Sequence, residues 1–341
     1  MDVKPKITPV QHGGNLSGLV RLHPHAPRPL IDLSTGINPY AYPLPPARTE
    51  YRHRLADSDD MQTAFTACAK HYAVSNPDSI TLASGMQSLM FALAALRIKK
   101  HGSSNVAILS PTYAEHQRVW HAVGHRIMPI DGIESADQFD VVILCNPNNP
   151  DGRTTTPQEL LDLAARLKIR GGWLIVDESF AELMHGISLT HHVSEHDNIA
   201  VLRSCGKFFG IAGLRVSLAI APLQWAQWLR TSTGPWPIST YVCHFLPAML
   251  GNITWATQMR EQLETEAAHW REILSRHFTI IGHTALFTLV ESDEASTWYD
   301  NLAAQGILVR KFPYNRQWLR FGLPDQSHLK RLEAALAVMN L

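Results

Sequence analysis

The stretch that decides the fold is Ile199–Arg215, which reads IAVLRSCGKFFGIAGLR. Ile199–Leu202 is a short apolar run containing β-branched residues, which is typical of a buried strand. Ser204, Lys207 and Arg215 follow this run, and ligands of open parallel sheets bind beyond the carboxyl ends of the strands. A lysine in such restricted surroundings suits Schiff-base chemistry, and the nearby arginine can pair with a phosphate.

Other apolar runs alternate with helical patterns along the chain, which predicts an α/β fold with a mainly parallel sheet. The further strand candidates are Val106–Leu109, Val141–Cys145, Trp173–Val176 and Val216–Ile220. After Pro237, long amphipathic helices mix with short strands and predict a second, smaller α+β domain. We therefore expect an N-terminal arm at 1–45, a large α/β domain at 46–237 and a small α+β domain at 238–341.

Candidate ligand groups stand at four other strand ends or helix starts. Ser84-Gly85-Met86 precede a helical run, where backbone N–H groups and the helix dipole can bind an anion. Tyr113 could stack on a planar ring, Asn149 could donate to an oxygen anion, and Asp177 could hold a protonated ring nitrogen. Each has a structural alternative when taken singly: a helix cap, a packed tyrosine or a turn. Their order along one sheet favours a common site.

This constellation resembles the fold-type I pyridoxal-phosphate (PLP) enzymes, the class I/II aminotransferases, from about Ser84 to Arg320. The resemblance rests on N-P-N-N-P-D-G at 146–152, V-D-E-S-F at 176–180 and S-C-G-K-F-F-G-I-A-G-L-R at 204–215. It implies that PLP is held by the phosphate ligands Ser84, Gly85, Met86, Ser204 and Arg215, the stacking Tyr113, the amide of Asn149, the ring-nitrogen partner Asp177 and the Schiff-base Lys207. Lys207 and Asp177 are the implied catalytic residues.

Two departures from this family bear on the chemistry. Aminotransferases usually have a tyrosine where this chain has Phe180, so the phenolic oxygen of the cofactor would lose a hydrogen bond. The change argues against ordinary transamination. In many relatives a tyrosine also reaches the cofactor phosphate across a dimer interface; it is absent near Leu55, and Tyr51 is the candidate replacement.

The N-terminal segment narrows the resemblance. H-G-G-N at 12–15 and D-L-S-T-G-I-N-P at 32–39 are similar to the opening of the threonine-phosphate decarboxylases of cobalamin biosynthesis, although glycine turns in an ordered arm are the structural alternative. The resemblance implies decarboxylation of L-threonine O-phosphate to 1-amino-2-propanol phosphate. The implied substrate-binding residues are His12, Asn15, Gly36, Ile37, Asn38, Arg310 and Arg320.

In this scheme Arg320 binds the substrate carboxylate and Arg310 is the candidate for the phosphate, with Lys311 and Arg316 as alternatives. The alternative function is that of a histidinol-phosphate aminotransferase or a related class I/II enzyme, against which Phe180 and the H-G-G-N segment argue. A PLP-binding protein without turnover is disfavoured because the lysine, aspartate, asparagine and arginine are all retained.

Composition limits the partners. Thirty basic residues balance thirty acidic ones among 341, which gives no electrostatic reason to expect nucleic acid or an anionic membrane as partner. The four widely spaced cysteines and the histidines lack metal-ligand spacing, so no metal is expected. The sequence shows neither an apolar span nor a leader pattern. We expect a cytoplasmic enzyme, and the resemblance implies a homodimer.

Overall fold

The computed structural model describes residues 12–338, and the first eleven residues of the predicted arm lie outside this range. The strands are β1 (Ile31–Asp32), β2 (Ile80–Ser84), β3 (Asn105–Leu109), β4 (Arg126–Ile130), β5 (Val141–Cys145), β6 (Trp173–Asp177), β7 (Ile199–Ser204), β8 (Val216–Ile220), β9 (Thr279–Thr284), β10 (Phe287–Glu291), β11 (Ile307–Leu308), β12 (Arg310–Phe312) and β13 (Asn315–Gly322). The helices are α1 (Leu16–Leu22), α2 (Ser58–His71), α3 (Met86–His101), α4 (Glu115–Val123), α5 (Pro157–Lys168), α6 (Leu223–Thr233), α7 (Thr240–Gly251), α8 (Ile253–Ser275), α9 (Ala295–Ala304) and α10 (Leu329–Ala337).

A seven-stranded sheet has the strand order β2-β8-β7-β6-β5-β3-β4. Strands β7, β6, β5, β3 and β4 run parallel, whereas β8 is antiparallel to both β2 and β7. The predicted α/β fold with a mainly parallel sheet is confirmed, and each of the five strands predicted for this sheet is present. The edge strand β4 and strand β2 were not predicted.

The centre of this sheet explains why its strands are apolar throughout. Every residue of β5 and β6 is buried, because helices cover both faces of a parallel sheet. One face packs against α3, α4 and α6, and the resulting core includes Leu93, Trp120 and Leu229. The sequence therefore has continuous apolar runs here rather than an alternating pattern.

Helix α5 has a capping box at its N-terminus. Oγ1 of Thr156 accepts a hydrogen bond from the Glu159 amide, and the Glu159 carboxylate accepts one from the Thr156 amide. Pro157 occupies the first turn, where its missing N–H costs no hydrogen bond. This capping box fixes the helix directly after the 146–152 loop.

A second, antiparallel sheet has the order β12-β13-β10-β9. Separately, β1 pairs in parallel with β11, and Ile31 lies opposite Ile307. The N-terminal segment is held by this pairing and by a small core of Leu19, Ala303 and Leu308.

Packing divides the described residues into two units that interleave along the chain. One contains the residues up to Tyr40, Pro150–Gly152 and the residues from Gln258 onward; the other contains Ala41–Asn149 and Arg153–Thr257. The predicted domains are consecutive segments with boundaries at residues 45 and 237. This division stays a prediction. Between residues 12 and 338, no helix combines the length and apolar character of a membrane span.

Candidate active site

The N-terminus of α3 forms an anion cradle in the larger unit. Gly85 precedes the helix with φ +96°, and no side chain caps the first N–H groups. A Cβ added at Gly85 would lie 2.5 Å from Nη2 of Arg215, so only glycine lets the guanidinium approach this closely. Arg215 itself has φ +58°, an unusual conformation for a residue with a side chain. Ser84 is exposed and Met86 is half-buried beside this cradle.

Asp177 ends β6 and is almost completely buried, with 4% of its surface exposed. Its Oδ1 accepts hydrogen bonds from the amide and hydroxyl of Ser179, at 3.0 and 2.5 Å. Its Oδ2 lies 2.9 Å from Nε2 of His116, which is fully buried on α4. The sequence interpretation missed His116, although it follows Tyr113 by three residues and so by about one helical turn.

The Asp177–His116 contact favours the charged form of both side chains. Burial alone would raise the pKa of Asp177, but the hydrogen bond and charge of His116, together with the bonds from Ser179, lower it. Burial alone would lower the pKa of His116, but Cys145 and Asp177 raise it to about 10. An ionised carboxylate at this strand end can hold a protonated ring nitrogen.

The same pair bears on metal binding. Ligand atoms of His116, Cys145 and Asp177 all lie within 4.8 Å of one another and are buried. The hydrogen bond between imidazole and carboxylate already occupies two of the three groups. The expectation that the protein has no metal site stays a prediction.

The three asparagines after β5 have different surroundings. The Asn146 amide group exchanges hydrogen bonds with the backbone of Thr155, each 2.9 Å long. Asn148 donates to the Pro111 carbonyl and accepts from the Thr112 hydroxyl. Both are buried and hold the loop in shape, whereas Asn149 is only partly buried. The role of Asn149 as a cofactor ligand stays a prediction.

Lys207 is half-buried beyond the end of β7, and its Nζ lies 5.7 Å from the centre of the Phe180 ring. Phe180 is buried, with 4% exposed, so an apolar ring stands near the amine. Ser204 ends β7 and is half-buried. Tyr113 is half-buried with its ring centre 6.0 Å from that of His116, and burial raises its pKa to about 12.

Tyr51, the candidate replacement for the interface tyrosine, packs within its own unit. Its ring centre lies 4.8 Å from that of His244 and 6.2 Å from that of Tyr241. Leu55 is 60% exposed.

The arginines predicted to bind substrate lie in the other unit, on adjacent antiparallel strands. Arg310 of β12 is the register partner of Arg320 of β13, and directly opposed residues project from the same face of a sheet. Arg320 is 6% exposed, and its Nη2 donates to the Ser34 carbonyl at 3.0 Å. Burial and the charge of Arg310 lower the pKa of Arg320 to about 10. Two guanidinium groups on one face suit a substrate with two anionic groups.

The H-G-G-N segment is tied to the same arginine through Ser34. The Gly14 amide donates to Oγ of Ser34 at 2.7 Å, and this hydroxyl donates to Oδ1 of Asp32 at 2.6 Å. A Cβ at Gly13 would collide with the Ser34 carbonyl, and Gly14 has φ +84°. Gly13 is therefore required by this close approach, and Gly14 by its positive φ.

The other predicted substrate residues of this segment have local roles that the structure describes. Oδ1 of Asn15 caps α1 by accepting from the Gly18 amide, and His12 is exposed. Oδ1 of Asn38 accepts from the Tyr40 amide; Gly36 and Asn38 are buried and Ile37 is half-buried. Their contact with a substrate stays a prediction.

The residues of the larger unit fit PLP on three observations. The uncapped helix start with Arg215 suits a phosphate, the ionised Asp177 suits a pyridinium, and Lys207 supplies the amine. These are the groups that the sequence motifs predicted, with His116 added.

A family model described as aminotransferase class I and II matches residues 29–336. The chain belongs to this family, as its motifs indicated. It is 37% identical to a threonine-phosphate decarboxylase from Sinorhizobium sp., over 98% of this chain and 99% of that protein. It is also 37% identical to a threonine-phosphate decarboxylase from Pseudomonas aeruginosa, over 96% and 97% of the two chains.

The fold is similarly shared with solved structures. Histidinol-phosphate aminotransferase from Sinorhizobium meliloti, solved in complex with pyridoxal-5'-phosphate, superposes with a TM-score of 0.79 at 17% identity. The match covers 98% of this chain and 96% of that one. At this identity the likeness bears on the fold alone.

Proposed function

We propose that this protein is a PLP-dependent carboxy-lyase that converts L-threonine O-phosphate to 1-amino-2-propanol phosphate in cobalamin biosynthesis. Its 37% identity to two threonine-phosphate decarboxylases over nearly the whole chain supports this reaction. The structural observation that carries it is the register pair Arg310 and Arg320. L-Threonine O-phosphate has a carboxylate and a phosphate, one anion for each guanidinium group.

Arg320 is proposed to bind the carboxylate because it is buried and oriented by the Ser34 carbonyl. Arg310 is half-buried and is proposed to bind the phosphate, which keeps more of its hydration. The backbone at 36–38, with His12 and Asn15, is proposed to complete these contacts. A fixed carboxylate matters because the orientation of the substrate decides which bond at Cα breaks.

When bound, PLP accepts the electron pair released as a bond to Cα of the substrate breaks. Ionised Asp177 would hold the proton on the ring nitrogen, and His116 favours the ionised form of that carboxylate and orients it. Carbon dioxide leaves without the electron pair of the broken C–C bond, so Cα must then take up a proton. The Nζ of Lys207 returns a proton to Cα, so one carboxylate is replaced by one hydrogen.

Phe180 supports decarboxylation over transamination. Its buried ring lies near Lys207 and offers no hydroxyl to the phenolic oxygen of the cofactor. The alternative is a histidinol-phosphate aminotransferase, which shares the fold. An arginine pair would also suit the two carboxylates of glutamate. The choice between decarboxylase and aminotransferase therefore rests on Phe180, on the H-G-G-N segment and on the relatives.

We also propose a cytoplasmic homodimer. All four cysteines are buried and unbridged, which is in keeping with a reducing compartment. Leu55 and Trp236, both in the larger unit, are 60% and 56% exposed, and large exposed apolar side chains are suited to a subunit interface.

The test is to incubate PLP-loaded protein with L-threonine O-phosphate in the absence of any keto acid and to measure carbon dioxide and 1-amino-2-propanol phosphate. Equal amounts of both products are expected. An Arg310→Gln variant should raise KM for this substrate more than it lowers kcat; a larger rise in KM for Arg316→Gln would assign the phosphate to Arg316 instead. The proposal would be contradicted if the protein released no carbon dioxide from threonine phosphate but formed glutamate from histidinol phosphate and 2-oxoglutarate.

A further inference from the structure

A cluster of buried charges lies at strands β6 and β7 and takes no part in the mechanism above. Nη1 of Arg203 lies 3.0 Å from Oε2 of Glu178, and Nη2 lies 3.1 Å from Oε1 of Glu182. The exposed fractions are 5% for Arg203, 1% for Glu178 and 6% for Glu182. We call these three residues the Arg203 cluster.

The cluster joins the two strand ends that carry the catalytic residues. Glu178 directly follows Asp177, and Arg203 precedes Lys207 by four residues. Nη1 of Arg203 also donates to the backbone carbonyl of Glu178 at 3.3 Å. The Glu178 amide donates to the Leu202 carbonyl at 2.8 Å, so one side chain and one backbone bond connect the strands at this point.

Each carboxylate extends the cluster to another part of the larger unit. Glu178 accepts from the Leu189 amide at 2.7 Å and from the Ser188 hydroxyl at 2.5 Å. Oε2 of Glu182 lies 3.4 Å from Nε2 of His71, whose Nδ1 is 2.8 Å from the Leu250 carbonyl. The strand ends are thereby held against the loop at 188–189 and against helices α2 and α7.

Arg203 is also fixed from a second direction. Its guanidinium carbon lies 4.7 Å from the centre of the Tyr72 ring, and the Tyr72 hydroxyl is 4.0 Å from Sγ of Cys205. Cys205 belongs to the turn at 205–209 that contains Lys207. The contacts of Arg203 thus reach this turn through the ring as well as through the strand.

Stability alone does not explain such a cluster. Buried ion pairs repay little more than the cost of removing their charges from water, and apolar residues of similar volume often stabilise a protein as well or better. What a planar guanidinium adds is a fixed geometry between the groups that it joins. Arg203 pairs with the ionised form of Glu182: burial alone would raise the pKa of Glu182, but Arg203 and His71 lower it to about 2.

We propose that Arg203 is a positioning residue for the reaction, which sets the placement of Asp177 relative to Lys207 by clamping Glu178 and Glu182. The inference rests on the proposed function for its substrate. Arg203 acts on the catalytic residues indirectly, because its bonds go to Glu178 and Glu182.

The test compares Arg203→Lys with Arg97→Lys in the PLP-loaded enzyme. Lysine keeps the charge but loses the two-armed geometry. Arg97 is a matched control because it is also buried, at 4% exposed. It bonds the Ser104 hydroxyl at 2.8 Å and the Gly171 carbonyl at 2.9 Å, away from the strand ends that carry the catalytic residues.

Three readouts separate positioning from structural support. Urea unfolding gives the stability of each variant, and steady-state kinetics with L-threonine O-phosphate give kcat and KM. The third readout needs no substrate: the pH midpoint of the absorbance change of PLP bound to Lys207, which reports how Asp177 and Lys207 are placed around the cofactor.

Arg203→Lys is expected to lower kcat about 100-fold with little change in KM, the size of effect caused by a misplacement of about 1 Å. Its pH midpoint should shift by about one unit. Arg97→Lys should lose stability without either change. If Arg203→Lys loses stability like the control but keeps the parent kcat and midpoint, the cluster has only a structural role and the proposal is overturned.

A second variant covers a failure of Arg203→Lys to fold. Glu182→Gln keeps the volume of the Glu182 side chain and removes its charge. It should shift the pH midpoint in the same direction as Arg203→Lys but by a smaller amount. An unchanged midpoint would overturn the proposal. If the parent enzyme releases no carbon dioxide from threonine phosphate, the proposed function fails, whereas the midpoints still decide the positioning role.

Discussion

Replacing His116 by leucine tests the buried pair at the end of β6. The variant leaves Oδ2 of Asp177 without its partner at 2.9 Å, inside a site where 4% of the aspartate surface is exposed. Breaking a buried charged pair costs about 3–5 kcal/mol. Because Ser179 still donates two hydrogen bonds to the other oxygen, we expect the lower end, about 3 kcal/mol.

The loss of stability caused by His116→Leu should depend on pH. The pKa of His116 in the folded protein is raised from 6.5 to about 10, so the stability it contributes is fully present below pH 6.5 and is lost as the pH rises toward 10. The cost of His116→Leu should therefore be largest in mild acid and should shrink through the alkaline range. The lowered pKa of Asp177 means that its own contribution persists until the pH falls below 3.8.

His125 is the matched control, since it is buried at 2% exposed but bonds only backbone groups. Burial lowers its pKa below 6.5, so its contribution is present above pH 6.5 and is lost as the pH falls. The assay is urea unfolding of the parent, His116→Leu and His125→Leu at about pH 5, 7 and 9. Parallel pH profiles for the two variants would refute the charged pair.

Three further outcomes concern the cofactor and substrate contacts. Lys207→Ala should abolish the visible absorbance of lysine-bound PLP; a normal spectrum would contradict the site. Arg320→Ala should keep this absorbance but lower kcat/KM about 100-fold, because hydrogen bonds to charged groups contribute about 1.5–3 kcal/mol each. Gly85→Ala and Gly102→Ala both place a side chain at positive φ and should each lose about 1 kcal/mol of stability. Only Gly85→Ala should weaken PLP binding in titrations, because its Cβ meets Arg215 while that of Gly102 meets nothing within 4 Å.

The central sheet was predictable because its strands are buried on both faces and read as apolar runs. Strand β4 carries Pro129 and is mostly exposed or half-exposed, so no apolar pattern marks it. The antiparallel direction of β8 leaves no periodic signal either. The stretch between Ser204 and Val216 is nevertheless too short for the helical crossover that a parallel neighbour needs, and this length was a usable signal.

The residues proposed to hold the cofactor were identified from the sequence because each follows a strand in order, and the motifs predict that they share one sheet edge; their roles stay predictions. His116 was missed because a lone histidine on a helix carries no motif, although it follows Tyr113 by only three residues. The pairing of β1 with β11 joins residues about 275 positions apart in sequence, and local sequence patterns do not predict pairing over such a separation. The links between Gly14, Ser34 and Arg320 depend on the same long-range contacts.

The most direct test of the account is the fate of the substrate carboxylate. PLP-loaded protein given L-threonine O-phosphate labelled at the carboxyl carbon, with no keto acid, should release labelled carbon dioxide and an equal amount of 1-amino-2-propanol phosphate. Retention of the label in a keto acid, with amino-group transfer to the cofactor, would contradict the account and identify an aminotransferase.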